Sequence, residues 1–259
     1  MSEDLMVRQD GPILRITINR PQKLNSVTAH SLREIEVAFD AAGKDPEVGV
    51  VVLTGKGEKS FCAGADVKGF VEVDSLVRHR QGRAHTHWIL AFDHARKPMI
   101  AAIHGYCLGG GLEIAMACDI RIGSTDARFG LPEVTRGTLP GSGGTQRLAR
   151  LVGLGRALDL ALSGEHVKAE QALDMGLISR LVTRIELWPE AEALAQKIAG
   201  HAPLSVLLVK EAVRNSLDTD LPTGLRIEAD LSTLIASTED RVEAGKAFRE
   251  KRKPEFKGR

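Results

Sequence analysis

The run Met99-Ile100-Ala101-Ala102-Ile103 is apolar at every position, and three successive glycines, Gly109-Gly110-Gly111, follow shortly after it. A short unbroken apolar run reads as a strand buried on both faces, which is what a parallel sheet with helices on each side demands. The glycines open onto a second apolar stretch of helical pattern, Leu112-Glu113-Ile114-Ala115-Met116-Ala117-Cys118. Strand, glycine turn and helix start together bare main-chain N–H groups. Glycine takes positive φ and lets a ligand approach the backbone, while the unpaired N–H groups and dipole of a helix N-terminus favour negative charge. An anion pocket is expected at this turn. Glu113 is the costly member of the run, because a carboxylate among apolar neighbours needs a partner or a raised pKa.

A second carboxylate, Glu133, stands in Phe129-Gly130-Leu131-Pro132-Glu133-Val134 and is followed by another glycine-rich turn, Leu139-Pro140-Gly141-Ser142-Gly143-Gly144-Thr145-Gln146. Taken singly, a glycine triplet is a tight turn and a lone Glu is a capping or solvated residue. Two carboxylates beside two glycine turns point instead to acid–base work at a backbone oxyanion site. The strand-and-turn device also occurs earlier, where Val50-Val51-Val52-Leu53-Thr54 leads to Ser60-Phe61-Cys62-Ala63-Gly64-Ala65-Asp66. Two such turns side by side could aim two N–H groups at one oxygen.

Around these features the periodicity predicts a strand over 13–18, a helix from the N-cap Thr28 through Ala42 and a buried strand over 48–54. A helical pattern spans 76–92. Helices are expected over 147–162 and 169–177, a short strand over 178–183, and helices alone from Trp188 onward, over 191–200, 204–217, 221–236 and 238–252. The layout is an α/β front with an all-helical tail.

Composition closes off other classes. A chain of 259 residues with net charge +1 carries no polyanion-binding imbalance. Three cysteines, Cys62, Cys107 and Cys118, lack C-x-x-C spacing, so reduced intracellular thiols are expected. No signal peptide or spanning segment is legible, which predicts a cytoplasmic protein with no membrane partner. His79, His85, His87 and His94 have no carboxylate at ligand spacing, and no metal is assigned. Gln146 breaks the dinucleotide fingerprint that Gly141 and Gly143 would begin, and Ser142 has Pro140 where a nucleophile elbow needs glycine two residues before the serine. A glycosidase would use paired carboxylates, but aromatic platforms for sugars are few.

The motifs resemble those of the crotonase superfamily, the enoyl-CoA hydratase/isomerase family, and the likeness runs from the first strand to the segment Phe248-Arg249-Glu250-Lys251-Arg252. The stretch 60–67 is similar to the family's first oxyanion loop, 105–113 to the second with its catalytic Glu, and 129–147 to the second catalytic Glu with its water-holding turn. The resemblance implies an α/β spiral of ββα units over residues 1–200, and a C-terminal helical region, 201–259, that builds a homotrimer or a dimer of trimers. It implies a coenzyme A thioester as substrate, no separate cofactor and no nucleic acid. The N–H groups of Ala65 and Gly110 would hold the thioester oxygen. Glu113 and Glu133 would hold one water, Glu113 drawing its proton and Glu133 serving the α-carbon, with the Gly141 N–H helping to position it. Ala63, Gly64, Ala65, Asp66, Val67, Lys68, Gly109 and Leu131 would line the substrate, and Lys251 from a neighbouring subunit would approach the CoA phosphate. Both carboxylates present favours an enoyl-CoA hydratase in acyl-CoA degradation. The alternatives are a Δ3,Δ2-enoyl-CoA isomerase or another acyl-CoA lyase of the family, and, from a different class, an RNA-binding or scaffolding relative.

Overall fold

The computed structural model describes residues 3–66, 75–77 and 88–259. In chain order the strands are β1 (Leu5–Asp10), β2 (Ile13–Ile18), β3 (Val50–Gly55), β4 (Ser60–Cys62), β5 (Met99–Ile103), β6 (Tyr106–Leu108), β7 (Ile120–Ser124), β8 (Arg128–Gly130), β9 (Val167–Lys168) and β10 (Arg180–Val182). The helices are α1 (Ala29–Lys44), α2 (Leu90–His94), α3 (Gly110–Ala117), α4 (Gly144–Val152), α5 (Leu154–Ser163), α6 (Ala169–Asp174), α7 (Leu187–Ala199), α8 (Pro203–Asn215), α9 (Leu221–Ala236) and α10 (Glu239–Glu250).

The strands form a six-stranded sheet, β1-β2-β3-β5-β7-β10, and a four-stranded sheet, β4-β6-β8-β9. Their alternation makes the spiral. Each of β3, β5 and β7 lies in the large sheet, parallel to its neighbour, and the strand that follows it, β4, β6 or β8, lies in the small sheet in the same order. The chain therefore steps from one sheet to the other three times, and the three exits from the small sheet stand next to one another.

Side chains of β3 show why its apolar run is unbroken. Val50 and Val52 pack with Ile13, Ile100, Ala102 and Ile122 against Leu187, Ala191, Leu194 and Ala195 of α7. Val51 and Leu53 face the other way, into a larger core with Ile35 and Phe39 of α1 and Leu112 of α3. Alternate residues thus serve two cores, each buried aliphatic side chain contributing about 1.5–3 kcal/mol. Helix α1 begins as its sequence suggests: the Thr28 hydroxyl accepts from Ser31 N, and the Ser31 hydroxyl accepts from Thr28 N at 2.8 Å. This reciprocal cap is worth about 1 kcal/mol.

Several expectations need correction. The single helix over 147–162 is two, broken at Gly153 with φ +81°. Strand β1, joined to β2 through Gly11 at φ +55°, escaped the periodicity because most of its residues face water. The short strands of the small sheet escaped it because three residues or fewer show no period. Most of the helix expected over 76–92 lies outside the described residues, which show α2 at its end.

The tail is helical as read. Neither α8 nor α9 contains a buried residue, although α8 is rich in leucine and valine and α9 in leucine and isoleucine. Leu221 is 74% exposed and Phe248 of α10 is 86% exposed. Among the described residues no helix is long and apolar enough to cross a membrane.

Candidate active site

The three exits from the small sheet carry the residues singled out in the sequence. After β4 comes Ala65, after β6 come Gly109 and Gly110, and after β8 comes Glu133. A second layer of contacts fixes the first exit. Asn25, fully buried at φ +54°, donates through Nδ2 to Lys56 O at 2.9 Å and Ser60 O at 2.6 Å, and accepts from Arg20 N at 3.0 Å. Ala63 N donates to Leu24 O at 3.0 Å, Val27 N to Gly64 O at 2.9 Å, and Asp66 N to Val27 O at 2.9 Å. This bridge uses the main chain on either side of Ala65 and leaves the Ala65 N–H unused.

The second exit is pressed against the first. A Cβ at Gly111 would lie 2.0 Å from Cys62 O, so only glycine lets α3 start this close to β4. A Cβ at Gly110 would stand 3.5 Å from Ala65 N. The N–H of Gly110 is the first of α3, where no intrahelical acceptor exists, and neither it nor the Ala65 N–H has a partner among the described residues. Two neighbouring donors of this kind, one at a helix start, are chemically able to stabilise a negative oxygen.

Glu113, one turn into α3, is 4% exposed. Its Oε1 accepts from Ser142 N at 2.6 Å and from Gly144 N at 2.9 Å. Here the expense of a buried carboxylate is offset, since N–H donors favour the charged form. The sequence reading assigned the 139–146 turn through Gly141 and passed over Ser142 and Gly144.

Glu133 is treated oppositely. Its Oε2 is buried without a hydrogen-bond partner among the described residues, and a Cβ at Gly109 would come within 3.1 Å of its Oε1. Burial, with a smaller contribution from the charge of Glu113, pushes its pKa up to about 7. Loss of solvent, more than repulsion between the two carboxylates, thus sets Glu133 apart. The outcome is a carboxylate that accepts two backbone hydrogen bonds beside a carboxyl that can give or take a proton near neutrality.

The other expected contacts are placed unevenly. The Asp66 carboxylate is paired with Arg20 at 2.9 Å, so it braces the loop. Leu131 is fully buried in the larger core. Lys251 caps α10 at φ +53° and is exposed. Val67 and Lys68 lie outside the described residues, as do His79, His85 and His87. The described residues include no cluster of His, Cys, Asp and Glu able to hold a metal. Burial pushes the Cys62 and Cys118 thiols up to about 12, and it pushes the Cys107 thiol well up too, which removes all three as nucleophiles. His104 is likewise held neutral, pushed down to about 4 by burial.

A sequence model of the enoyl-CoA hydratase/isomerase family matches residues 8–259. The chain is 42% identical over 257 residues to the short-chain-enoyl-CoA hydratase of Clostridium acetobutylicum, covering 99% of this chain and 98% of that one. It is 42% identical over 261 residues to the 2,3-dehydroadipyl-CoA hydratase of Escherichia coli, covering both chains fully, at 100% each. The crystal structure of an enoyl-CoA hydratase from Bacillus anthracis superposes with a TM-score of 0.93 at 39% identity, covering 99% of this chain and 100% of that one. With a family model matching nearly the whole chain, relatives 42% identical over nearly their full length and the same fold, the chain belongs to the enoyl-CoA hydratase/isomerase family, the crotonase superfamily.

Proposed function

We propose that the protein is an enoyl-CoA hydratase, adding water reversibly across the double bond of a trans-2-enoyl-CoA to give the 3-hydroxyacyl-CoA. One observation carries this reading. Glu113 accepts from two backbone donors while Glu133 has a buried oxygen with no partner among the described residues and a pKa pushed up to about 7, both beside the Gly109–Gly110 turn. An isomerase needs a single carboxylate to move one proton. Addition of water needs a base for the water and an acid for the α-carbon.

In the hydration direction the thioester oxygen accepts from the N–H groups of Ala65 and Gly110. Glu113 takes a proton from water as the water oxygen bonds to the β-carbon, and the electron pair of the double bond moves onto the thioester as an enolate. The two N–H groups stabilise that enolate, and each such donor is worth about 10²–10³ in rate. Glu133 then gives its proton to the α-carbon. The Gly141 N–H helps to hold the water. Glu113 ends protonated and Glu133 ionised, so the proton must return between them, through the next water, before another turn. No cofactor enters, coenzyme A being part of the substrate.

The same reading includes the assembly. The exposed leucines and valines of α8 and α9 support burial against other copies of the chain, as a homotrimer or a dimer of trimers, because a large open apolar face is rare on a monomer. Lys68 and a neighbouring subunit's Lys251 approach the CoA phosphate, and the enzyme works in the cytoplasm, in acyl-CoA degradation. The named relatives act on different acyl groups, so the decisive measurement is hydration of crotonyl-, hexenoyl-, decenoyl- and methyl-branched enoyl-CoA, followed by loss of the conjugated-thioester absorbance. Turnover of at least one is expected. No turnover of any would overturn the reading.

A further inference from the structure

The turn that holds Glu113 has a support of its own. Gly143, at φ +96°, lies between the two donors Ser142 and Gly144. The space a Cβ would take on Gly143 is filled by the guanidinium of Arg147, whose Nη1 lies 2.0 Å from that ideal position. Arg147 belongs to the first turn of α4, and its side chain folds back over the start of its own helix. A cation there has the wrong sign for the helix dipole, which disfavours it by about 0.3–1 kcal/mol, so something else must hold it in place.

Asp93 does. Its two carboxylate oxygens both accept from Arg147 Nη2, each at 2.6 Å. Asp93 is also paired with Arg214 of α8 at 3.3 Å, and Arg214 reaches Asp119 at 2.7 Å. Lys210 completes the chain of charges, 2.9 Å from Asp119, whose carboxylate also accepts from Met99 N at 2.8 Å. The network thus ties α2, the start of β5 and the tail helix α8 to the 141–144 turn. An isolated ion pair at a surface contributes little, but a network that seats a guanidinium against a positive-φ glycine fixes geometry.

We infer that Arg147, gripped by Asp93, is a positioning residue: it sets the 141–144 turn and, through the N–H groups of Ser142 and Gly144, the carboxylate of Glu113. The inference rests on the hydratase reading for its kinetic consequence. A displacement of about 1 Å in a reacting group can cost on the order of 10²-fold in rate, so the effect should fall on kcat. Binding of the thioester uses other groups and should be spared. The tail helix acquires a role within its own chain, since Arg214 shares Asp93 with Arg147.

The test is a kinetic cycle on the full-length protein with Arg147→Met, Asp93→Asn and the double variant, alongside Arg147→Lys and, as a control on the same helix, Arg150→Ala. Arg147→Met and Asp93→Asn should each lower kcat about ten- to a hundredfold with KM within about twofold of wild type. The double variant should lose no more than the worse single one, because both remove one support. Arg147→Lys should recover part of the loss, keeping the charge without the planar fork. Unchanged kcat in Arg147→Met, a loss expressed in KM, or multiplicative losses in the double variant would overturn the inference. A crystal structure of Arg147→Met separates this from failure of the hydratase reading. If wild type hydrates no enoyl-CoA, the reading falls, but a shifted 141–144 turn with the bonds to Glu113 broken still supports positioning. An unmoved turn refutes it.

Discussion

Replacing Glu133 by Gln should make the enzyme nearly inactive and, above neutral pH, more stable. Glu133 has its pKa pushed from an ordinary 4.5 up to about 7, mainly by burial. The folded state therefore holds a proton that the unfolded state has released between those values, and wild-type stability falls as pH rises through that window. The shift of 7 − 4.5 = 2.5 units corresponds to a ceiling of about 3 kcal/mol at 1.36 kcal/mol per unit. The side chain is only half-buried, and screening by solvent reduces this to about 1–2 kcal/mol. Glutamine has the same shape and no charge to desolvate. Urea unfolding of both proteins at one protomer concentration should give a stability difference larger at pH 8 than at pH 5 by that amount, in favour of the variant. Over the same range kcat for hydration should drop by about 10²–10⁴. Hydration and its reverse both need one proton on the Glu113–Glu133 pair, so in wild type both kcat/KM profiles should fall alike above about pH 7. A stability difference that does not change with pH would refute the claim that Glu133 is buried at the expense of its charge.

Glu113→Gln should also cost about 10²–10⁴ in kcat with thioester binding retained, and more than about a tenth of wild-type turnover would end the two-carboxylate mechanism. Light scattering should give a mass near three or six times 28.0 kDa, and deletion after Pro203 should abolish both assembly and turnover, whereas a fully active monomer at micromolar concentration would contradict the proposed role of the tail. Lys68→Ala and Lys251→Ala should raise KM more than they lower kcat, with the effect shrinking at high salt, and KM equal to that of wild type at all salt concentrations would remove them from the phosphate site.

Local chemistry alone located much of this protein. The unbroken apolar runs of β3 and β5 announced strands covered on both sides, Thr28 announced the start of α1, and the glycine triplet marked the turn that opens α3, because each depends on residues adjacent in the chain. The tertiary structure decided what depends on residues far apart. Strands of three residues, such as β4 and β6, exist only because the spiral brings them together, and no periodicity can show in so short a segment. The partners of Glu113 lie 29 and 31 residues away, so no local pattern could distinguish Ser142 and Gly144 from their neighbours in the same turn. The difference between the two carboxylates was equally out of reach. Glu113 sits in the more apolar sequence and finds two donors, while Glu133, in a short 3-10 helix of ordinary composition over Pro132–Arg136, is the one whose charge burial penalises. A pKa is set by what surrounds a group in space, and in this protein those surroundings come from three successive turns of the spiral.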